Sequence, residues 1–247
     1  MYKLSIITVT YNNSEELDRT IKSITRCLNE SNISKIQLIV VDGGTPDFSM
    51  PIINLPLDVT VISERDSGVF DAMNKGICQV DSVFSLFLNS GDTFFDKCTI
   101  DVLITNIEEF ESEFNIIAGN VKMVYSDIEK VTDLAPWFNH QSVLVRTSLL
   151  KEYKFNSELK YFGDLDLWMR LDANSKLVCT RINFVVAVFE MGGLGNSPEN
   201  IFKRLSERNS LNFSYWKSIK RTVLFIGLWA IYKTLGKNYY YKIVMSI

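Results

Sequence analysis

The chain has 247 residues, 47% of them hydrophobic and 22% charged, with a net charge of -3. That length allows one large domain or a domain with an appendage, and the composition excludes a disordered chain. A single histidine, His140, excludes a histidine-cluster metal site within one chain, and the four cysteines, Cys27, Cys78, Cys98 and Cys179, lack metal-ligand spacing and read as buried free thiols of a reducing compartment.

In chain order, residues 4–10 (Leu-Ser-Ile-Ile-Thr-Val-Thr) are apolar and β-branched and read as a buried strand. It follows Met1-Tyr2-Lys3 directly, so the start does not read as a signal peptide. Tyr11-Asn12-Asn13 breaks the strand. Ser14 with Glu15 and Glu16 suits a helix start, and Leu17, Ile21, Ile24 and Leu28 continue at helical spacing. Strands are expected at 36–41, 59–62 and 83–88, with a helix at 69–80, and this alternation implies a parallel, doubly wound sheet over the first 100 residues. Beyond it the expectation is strands at 116–125 and 142–146 with irregular segments between, a helix at 164–172 and a long strand at 177–190. A Gly-rich flexible loop at 191–197 comes next, then a helix from Pro198 to about Phe213.

The tail differs in charge. Residues 217–247 carry Lys217, Lys220, Arg221, Lys233, Lys237 and Lys242 and no acid, which leaves the body strongly acidic. An apolar run at 222–232, followed by three tyrosines, is too short for a membrane span. It reads as a basic, aromatic helix in the interface of an anionic membrane; the competing reading is a helix packed on the body with a basic outer face. An acidic body with no basic stripe excludes nucleic acid.

Two acids mark the chemistry. Val40-Val41-Asp42-Gly43-Gly44 and Leu88-Asn89-Ser90-Gly91-Asp92 each place a carboxylate just past a buried strand, where open α/β sheets bind ligands. No G-x-G-x-x-G follows the first strand and no P-loop motif is present, which argues against a Rossmann oxidoreductase and a P-loop NTPase. The strand ends instead supply Thr8, Tyr11, Asp42, Asp66 and Asp92, with Asp71, Asn74 and Lys75 on the helix after the third strand. Such a set can hold a nucleoside, with a cation at Asp92 neutralising a diphosphate.

These motifs carry a family resemblance. Residues 5–12 (Ser-Ile-Ile-Thr-Val-Thr-Tyr-Asn), 39–45, 63–77 and Leu88-Asn89-Ser90-Gly91-Asp92 resemble the inverting family 2 glycosyltransferases, with the third stretch similar to a subgroup of bacterial surface-polysaccharide clusters. The likeness covers about residues 3–195. It implies an α/β, GT-A-type doubly wound, mostly parallel sheet over residues 1–213, with a nucleotide-sugar half at 1–97, an acceptor and catalytic half at 98–213, and residues 214–247 as a basic amphipathic tail.

By the same resemblance Thr8, Tyr11 and Asp42 hold the nucleoside, Asp66 contacts base or ribose, and Asp92 binds Mn2+ or Mg2+. Asn89 and Gly91 stand where many relatives have acids. In Phe162-Gly163-Asp164-Leu165-Asp166, Asp164 aligns with the catalytic base and Gly163 replaces a glutamate. A helix N-cap is the alternative role for Asp164, and Asp166 is its competitor. His140 and Trp137 border the acceptor side, Gly192-Gly193 resembles a mobile loop over the donor, and Arg170 reads as an ion-pair partner on its own helix.

The function these readings imply is transfer of a sugar, with inversion, from a nucleotide donor, UDP-linked by expectation, to a lipid-linked glycan. The expected location is the inner face of the cytoplasmic membrane. A non-catalytic sugar-nucleotide scaffold and a sugar-phosphate nucleotidyltransferase stand as alternatives.

Overall fold

A computed structural model of the chain describes residues 1–51, 55–132, 139–193, 195–211 and 215–246, without the side chains of 215–221. The first half runs β1 (Tyr2–Thr10), α1 (Ser14–Arg26), β2 (Ile36–Asp42), β3 (Asp58–Ser63), α2 (Val69–Cys78), β4 (Ser82–Phe87), β5 (Thr93–Phe94) and α3 (Thr99–Phe110). The second half runs β6 (Ile116–Tyr125), β7 (Ile128–Thr132), β8 (Val143–Arg146), α4 (Thr147–Tyr153), α5 (Gly163–Ala173), β9 (Cys179–Glu190), α6 (Ile201–Ser210), α7 (Tyr215–Leu235) and α8 (Lys237–Val244). Among the described residues the strands form one sheet in the order β3-β2-β1-β4-β8-β6-β9-β5, with β7 added on β6.

β1 to β4 pair in parallel, so their carboxyl ends share one edge. The alternation of side chains along these strands sorts the core into two layers. Leu4, Ile6, Leu38, Val40 and Leu86 face α1 and α3, whereas Ile7, Val9, Ile39, Val41 and Phe87 face α2, α4 and α5. Leu17, Ile21 and Ile24 supply the expected apolar stripe of α1.

The strand expected at 116–125 is β6, whereas α3 lies in a stretch for which the sequence carries no expectation and β7 falls in a segment expected to be irregular. Ile100, Leu103, Ile104 and Ile107 form the buried face of α3, and β7 pairs antiparallel with β6. The helix expected from Pro198 begins instead as a 3-10 turn at Pro198–Asn200, and α6 ends at Ser210. All four cysteines are free, but Cys78 and Cys98 are exposed rather than buried.

The tail is two helices rather than one, divided at Gly236, whose φ of +85° suits glycine. It packs back on the body. Phe225, Leu228, Tyr240, Tyr241 and Met245 are buried with Met191, Ile201 and Leu205 in a third apolar cluster. Burying Phe225, Leu228 and Met245 contributes about 1.5–3 kcal/mol each toward holding the tail on the body. No helix among the described residues is long and apolar enough to cross a membrane.

Candidate active site

Register across the parallel strands aligns Thr10 with Asp42 and Asp42 with Ser63, so three polar residues close the sheet in one row. Asp42 is fully buried, and its carboxylate accepts hydrogen bonds from the Ser63 hydroxyl at 2.7 Å and from the backbone N–H groups of Gly44 and Thr45 at 3.1 and 2.9 Å. The Thr45 hydroxyl donates to it as well, and also accepts the Asn12 N–H at 2.8 Å. Asp42 is therefore occupied in shaping the 42–45 turn.

That turn presents a bare glycine to the solvent-facing side chains. A Cβ on Gly43 would collide with Asp66 Oδ2 and lie 3.2 Å from the Tyr11 ring. Tyr11 is 60% exposed, and Asp66 is held above the usual carboxylate range by burial, against the pull of the Gly68 N–H on its Oδ1 at 2.9 Å. An exposed ring and a half-buried carboxylate facing each other across bare backbone form a slot suited to a flat base and a ribose hydroxyl.

Three of the expected donor residues are turned elsewhere. Asn74 spends both ends of its amide on the Phe155 backbone, at 2.8 and 2.9 Å. Asp71 accepts the Ser67 N–H at 3.0 Å, and Lys75 donates to the Arg65 carbonyl and pairs with Glu64 at 3.0 Å, so both brace the 64–68 loop. Thr8 lies fully buried within β1, and its hydroxyl has no partner among the described residues.

The loop after β4 is fixed from α1. Thr20 Oγ1 donates to the Asp92 carbonyl at 2.8 Å and accepts the Gly91 N–H at 3.0 Å. Gly91 has a φ of +100°, a backbone that an aspartate adopts only with strain, so the position suits glycine. Asp92 is 6% exposed, and burial pushes its carboxyl up to about 7, with the nearby His140 and the Gln141 amide pulling the other way and Glu190 adding to the rise. Gln141 Nε2 donates to Asp92 Oδ2 at 3.0 Å.

The neighbouring residue reaches the second half of the site. Asn89 Nδ2 lies 3.0 Å from His140 Nε2, and His140 Nδ1 lies 3.4 Å from Asp164 Oδ2. With the amide donating to Nε2, the ring proton sits on Nδ1 and points at Asp164. Asp164 Oδ1 accepts the Leu165 N–H at 2.8 Å. Asp164 is the second residue of α5; Phe162 occupies the N-cap, so the capping alternative does not hold. Asp166 instead pairs with Arg170 at 2.8 Å, one turn along the helix. A Cβ on Gly163 would lie 2.6 Å from the Phe70 ring, so that ring fills the space a glutamate side chain would need. Trp137 lies outside the described residues.

A divalent cation fits this corner. A buried carboxylate raised to about 7 gains from a positive charge, and Asn89 Oδ1 is a buried oxygen with no partner among the described residues. Both are hard oxygen ligands. Among the described residues no group of three or more His, Cys, Asp or Glu is assembled around one point. A cation here would therefore take most of its ligands from diphosphate and water, as Mg2+ and Mn2+ sites commonly do. Thr20, Thr45, Ser63 and Gln141 also shape the site. Thr45 and Ser63 lie in stretches that carry the family resemblance and Gln141 directly follows His140, whereas Thr20 is brought in by the fold alone.

Comparison with known proteins accords with this arrangement. The family model described as glycosyl transferase family 2 matches residues 5–147. A Mycobacterium tuberculosis protein named as an uncharacterized glycosyltransferase is 34% identical over 233 residues, covering 86% of this chain and 85% of that protein. A Campylobacter jejuni GalNAc(5)-diNAcBac-PP-undecaprenol beta-1,3-glucosyltransferase is 24% identical over 269 residues, covering 97% and 85%. Among solved structures, Staphylococcus aureus TarS 1-349 in complex with UDP-GlcNAc superimposes with a TM-score of 0.63 at 18% identity, over 94% of this chain and 73% of that one. The Pyrobaculum calidifontis mannosyltransferase PcManGT with GDP-Man and Mn2+ gives 0.63 at 13% identity, over 84% and 62%. The fold is that of the GT-A glycosyltransferases, and the chain is a member of glycosyl transferase family 2.

Proposed function

We propose that this glycosyltransferase moves a sugar from a UDP-linked donor onto a hydroxyl of a lipid-linked glycan, with inversion, and that Asp164 is the base. The observation that carries the reading is the adjacent pair His140-Gln141. One of these residues touches Asp164 and the other Asp92, so a base candidate and a diphosphate-side carboxylate serve one crevice. In a single displacement the acceptor oxygen bonds to the anomeric carbon as the bond to the diphosphate breaks. The acceptor proton passes to Asp164, whose Oδ1 is held by the Leu165 N–H. Tyr11 and Asp66 take the nucleoside, while Asp92 and Asn89 Oδ1 would hold the cation. Bound there, Mn2+ or Mg2+ would neutralise the departing nucleoside diphosphate.

UDP as the nucleotide is supported by the UDP-GlcNAc complex of the TarS neighbour, and the acceptor class by the undecaprenol-linked substrate in the Campylobacter relative's name. Of the three departures, Asn89 keeps an oxygen that could serve a cation, and Gly91 and Gly163 have backbone and packing reasons, so they do not favour a non-catalytic scaffold. Calorimetry with UDP and with GDP, each with and without Mn2+, tests the donor assignment; no binding of either nucleotide by folded protein would remove it. Asp164→Asn should bind donor as the wild type does and lose transfer by about 100-fold or more.

We further assign residues 1–213 to transfer and 214–247 to docking on an anionic membrane at its cytoplasmic face. Support comes from exposed Phe202, Val223, Ile226, Leu235 and Tyr239 on α6–α8, together with exposed Lys233 and Lys242. Because the tail covers an apolar cluster, the test uses the full chain. At about 1 kcal/mol per lysine, replacing Lys233 and Lys242 by glutamine should weaken binding to phosphatidylglycerol vesicles by about 30-fold. Unchanged sedimentation would exclude these lysines as the anchor.

A further inference from the structure

The nine residues between α4 and α5, 154–162, belong to no helix or strand, yet they deliver Asp164 to the site. Backbone N–H groups in such a segment need partners of their own. Three in succession find the same one. Glu207, in the middle of α6, accepts the Lys160 N–H on Oε2 at 2.8 Å and the Tyr161 and Phe162 N–H groups on Oε1 at 2.7 and 2.9 Å. Hydrogen bonds to an ionised acceptor are roughly twice as strong as neutral ones, and the negative charge also sits just ahead of a helix N-terminus, where it is favoured.

The same helix grips the segment a second way. Arg204 and Arg208, flanking Glu207 on α6, lie over the Phe162 ring with guanidinium-to-centroid distances of 5.9 and 5.6 Å. Arg204 also lies over Phe225 of α7 at 5.6 Å. Phe162 is the N-cap of α5, its carbonyl accepts the Asp166 N–H at 2.9 Å, and Asp164 lies between the two in sequence. A shift of Phe162 therefore carries the first turn of α5 with it, and the 3.4 Å approach of Asp164 to His140 is what such a shift would change.

We propose that Glu207 is a positioning residue for the transfer reaction: by gathering the three backbone N–H groups ahead of α5 it sets where Asp164 sits. This rests on the reading of Asp164 as the base. Among the described residues no hydrogen bond or ion pair joins Glu207 to Tyr11, Gly43 or Asp66 of the nucleoside slot, so its effect falls on turnover and not on donor affinity.

The test compares Glu207→Ala, Glu207→Gln and Asp164→Asn in the full chain. Turnover is read as UDP release from UDP-glucose and UDP-N-acetylglucosamine with a polyprenyl-diphosphate-linked oligosaccharide as acceptor, and UDP affinity is read by calorimetry. Hydrogen exchange of the 160–165 amides reads the clamp without substrate. Displacing a catalytic group by about 1 Å costs about 100-fold, so Glu207→Ala should lower kcat by about 10- to 100-fold, leave UDP affinity within about twofold, and speed exchange at 160–165. Glu207→Gln should fall between, since it keeps one oxygen for Tyr161 and Phe162 and turns an NH2 group toward the Lys160 N–H.

Wild-type kcat with loosened amides, unchanged exchange in Glu207→Ala, or a fall in UDP affinity as large as the fall in kcat would each overturn the proposal. If Glu207→Ala does not fold, Glu207→Gln carries the same comparisons. Transfer surviving in Asp164→Asn would remove the base and this inference with it, whereas transfer lost there but intact in both Glu207 variants would remove this inference alone. If neither donor turns over, the exchange result decides: unchanged protection overturns the proposal and selective loss at 160–165 supports it.

Discussion

Replacing Asp92 by asparagine should stabilise the protein without metal, by an amount that depends on pH. The carboxyl is 6% exposed, and burial moves it from 3.8 to about 7. The folded state therefore keeps a proton between about pH 4 and 7 that the unfolded chain has lost. Stability from this group is fully present below the unfolded value, falls as pH rises through that window, and is gone above the folded value. The displacement corresponds to a ceiling of ~4 kcal/mol. An asparagine keeps an oxygen for the Gln141 amide and carries no charge, so it escapes that loss. For a chain of this size ~1 kcal/mol shifts Tm by about 2–4 °C, so the variant should melt up to about 8–16 °C above the wild type at pH 8 and level with it near pH 4. Differential scanning calorimetry in chelator across pH 4–8 measures this. A Tm difference that is flat with pH, or a variant that melts lower at pH 8, would refute the reasoning that Asp92 is ionised at a desolvation cost in the metal-free protein.

Other substitutions separate structural from ligand-binding residues. Asn74→Ala removes two hydrogen bonds to the Phe155 backbone and should cost about 1–3 kcal/mol in urea unfolding while leaving UDP affinity within about twofold. Tyr11→Ala should do the reverse, weakening UDP binding by about 1–3 kcal/mol in calorimetry with little change in Tm, because the ring is 60% exposed. Gly163→Ala drives a Cβ to 2.6 Å from the Phe70 ring and should destabilise by about 1–3 kcal/mol, with partial recovery when Phe70→Leu is added; a double variant no better than the single would refute the contact.

The first half of the fold was legible because its signals are local. The apolar runs at 4–10, 36–41 and 83–88 alternate with a helix pattern, and their parallel pairing follows from the intervening crossovers. The carboxylates Asp42, Asp66 and Asp92 were found by their place at strand ends. What each one does was not legible. Asp42 and Asp92 are both buried acids after strands, yet one is engaged by its own turn and by Ser63 of β3 and the other is held by one side-chain donor, Gln141. Asn74, Asp71 and Lys75 sit in a motif that resembles a donor site, but their side chains brace neighbouring loops.

The sequence by itself determined the period of the strands and helices around the parallel half, the acids that end the parallel strands, and the basic tail, because each depends on residues adjacent in the chain. Only the tertiary structure decided which of them meet. Asn89, His140 and Asp164 come from three separate segments, and Glu207 reaches 160–162 across more than forty residues. The tail folds back to bury Tyr240 and Tyr241 against the body for the same reason: long-range contacts are chosen by complementary surfaces that exist only once the sheet has formed.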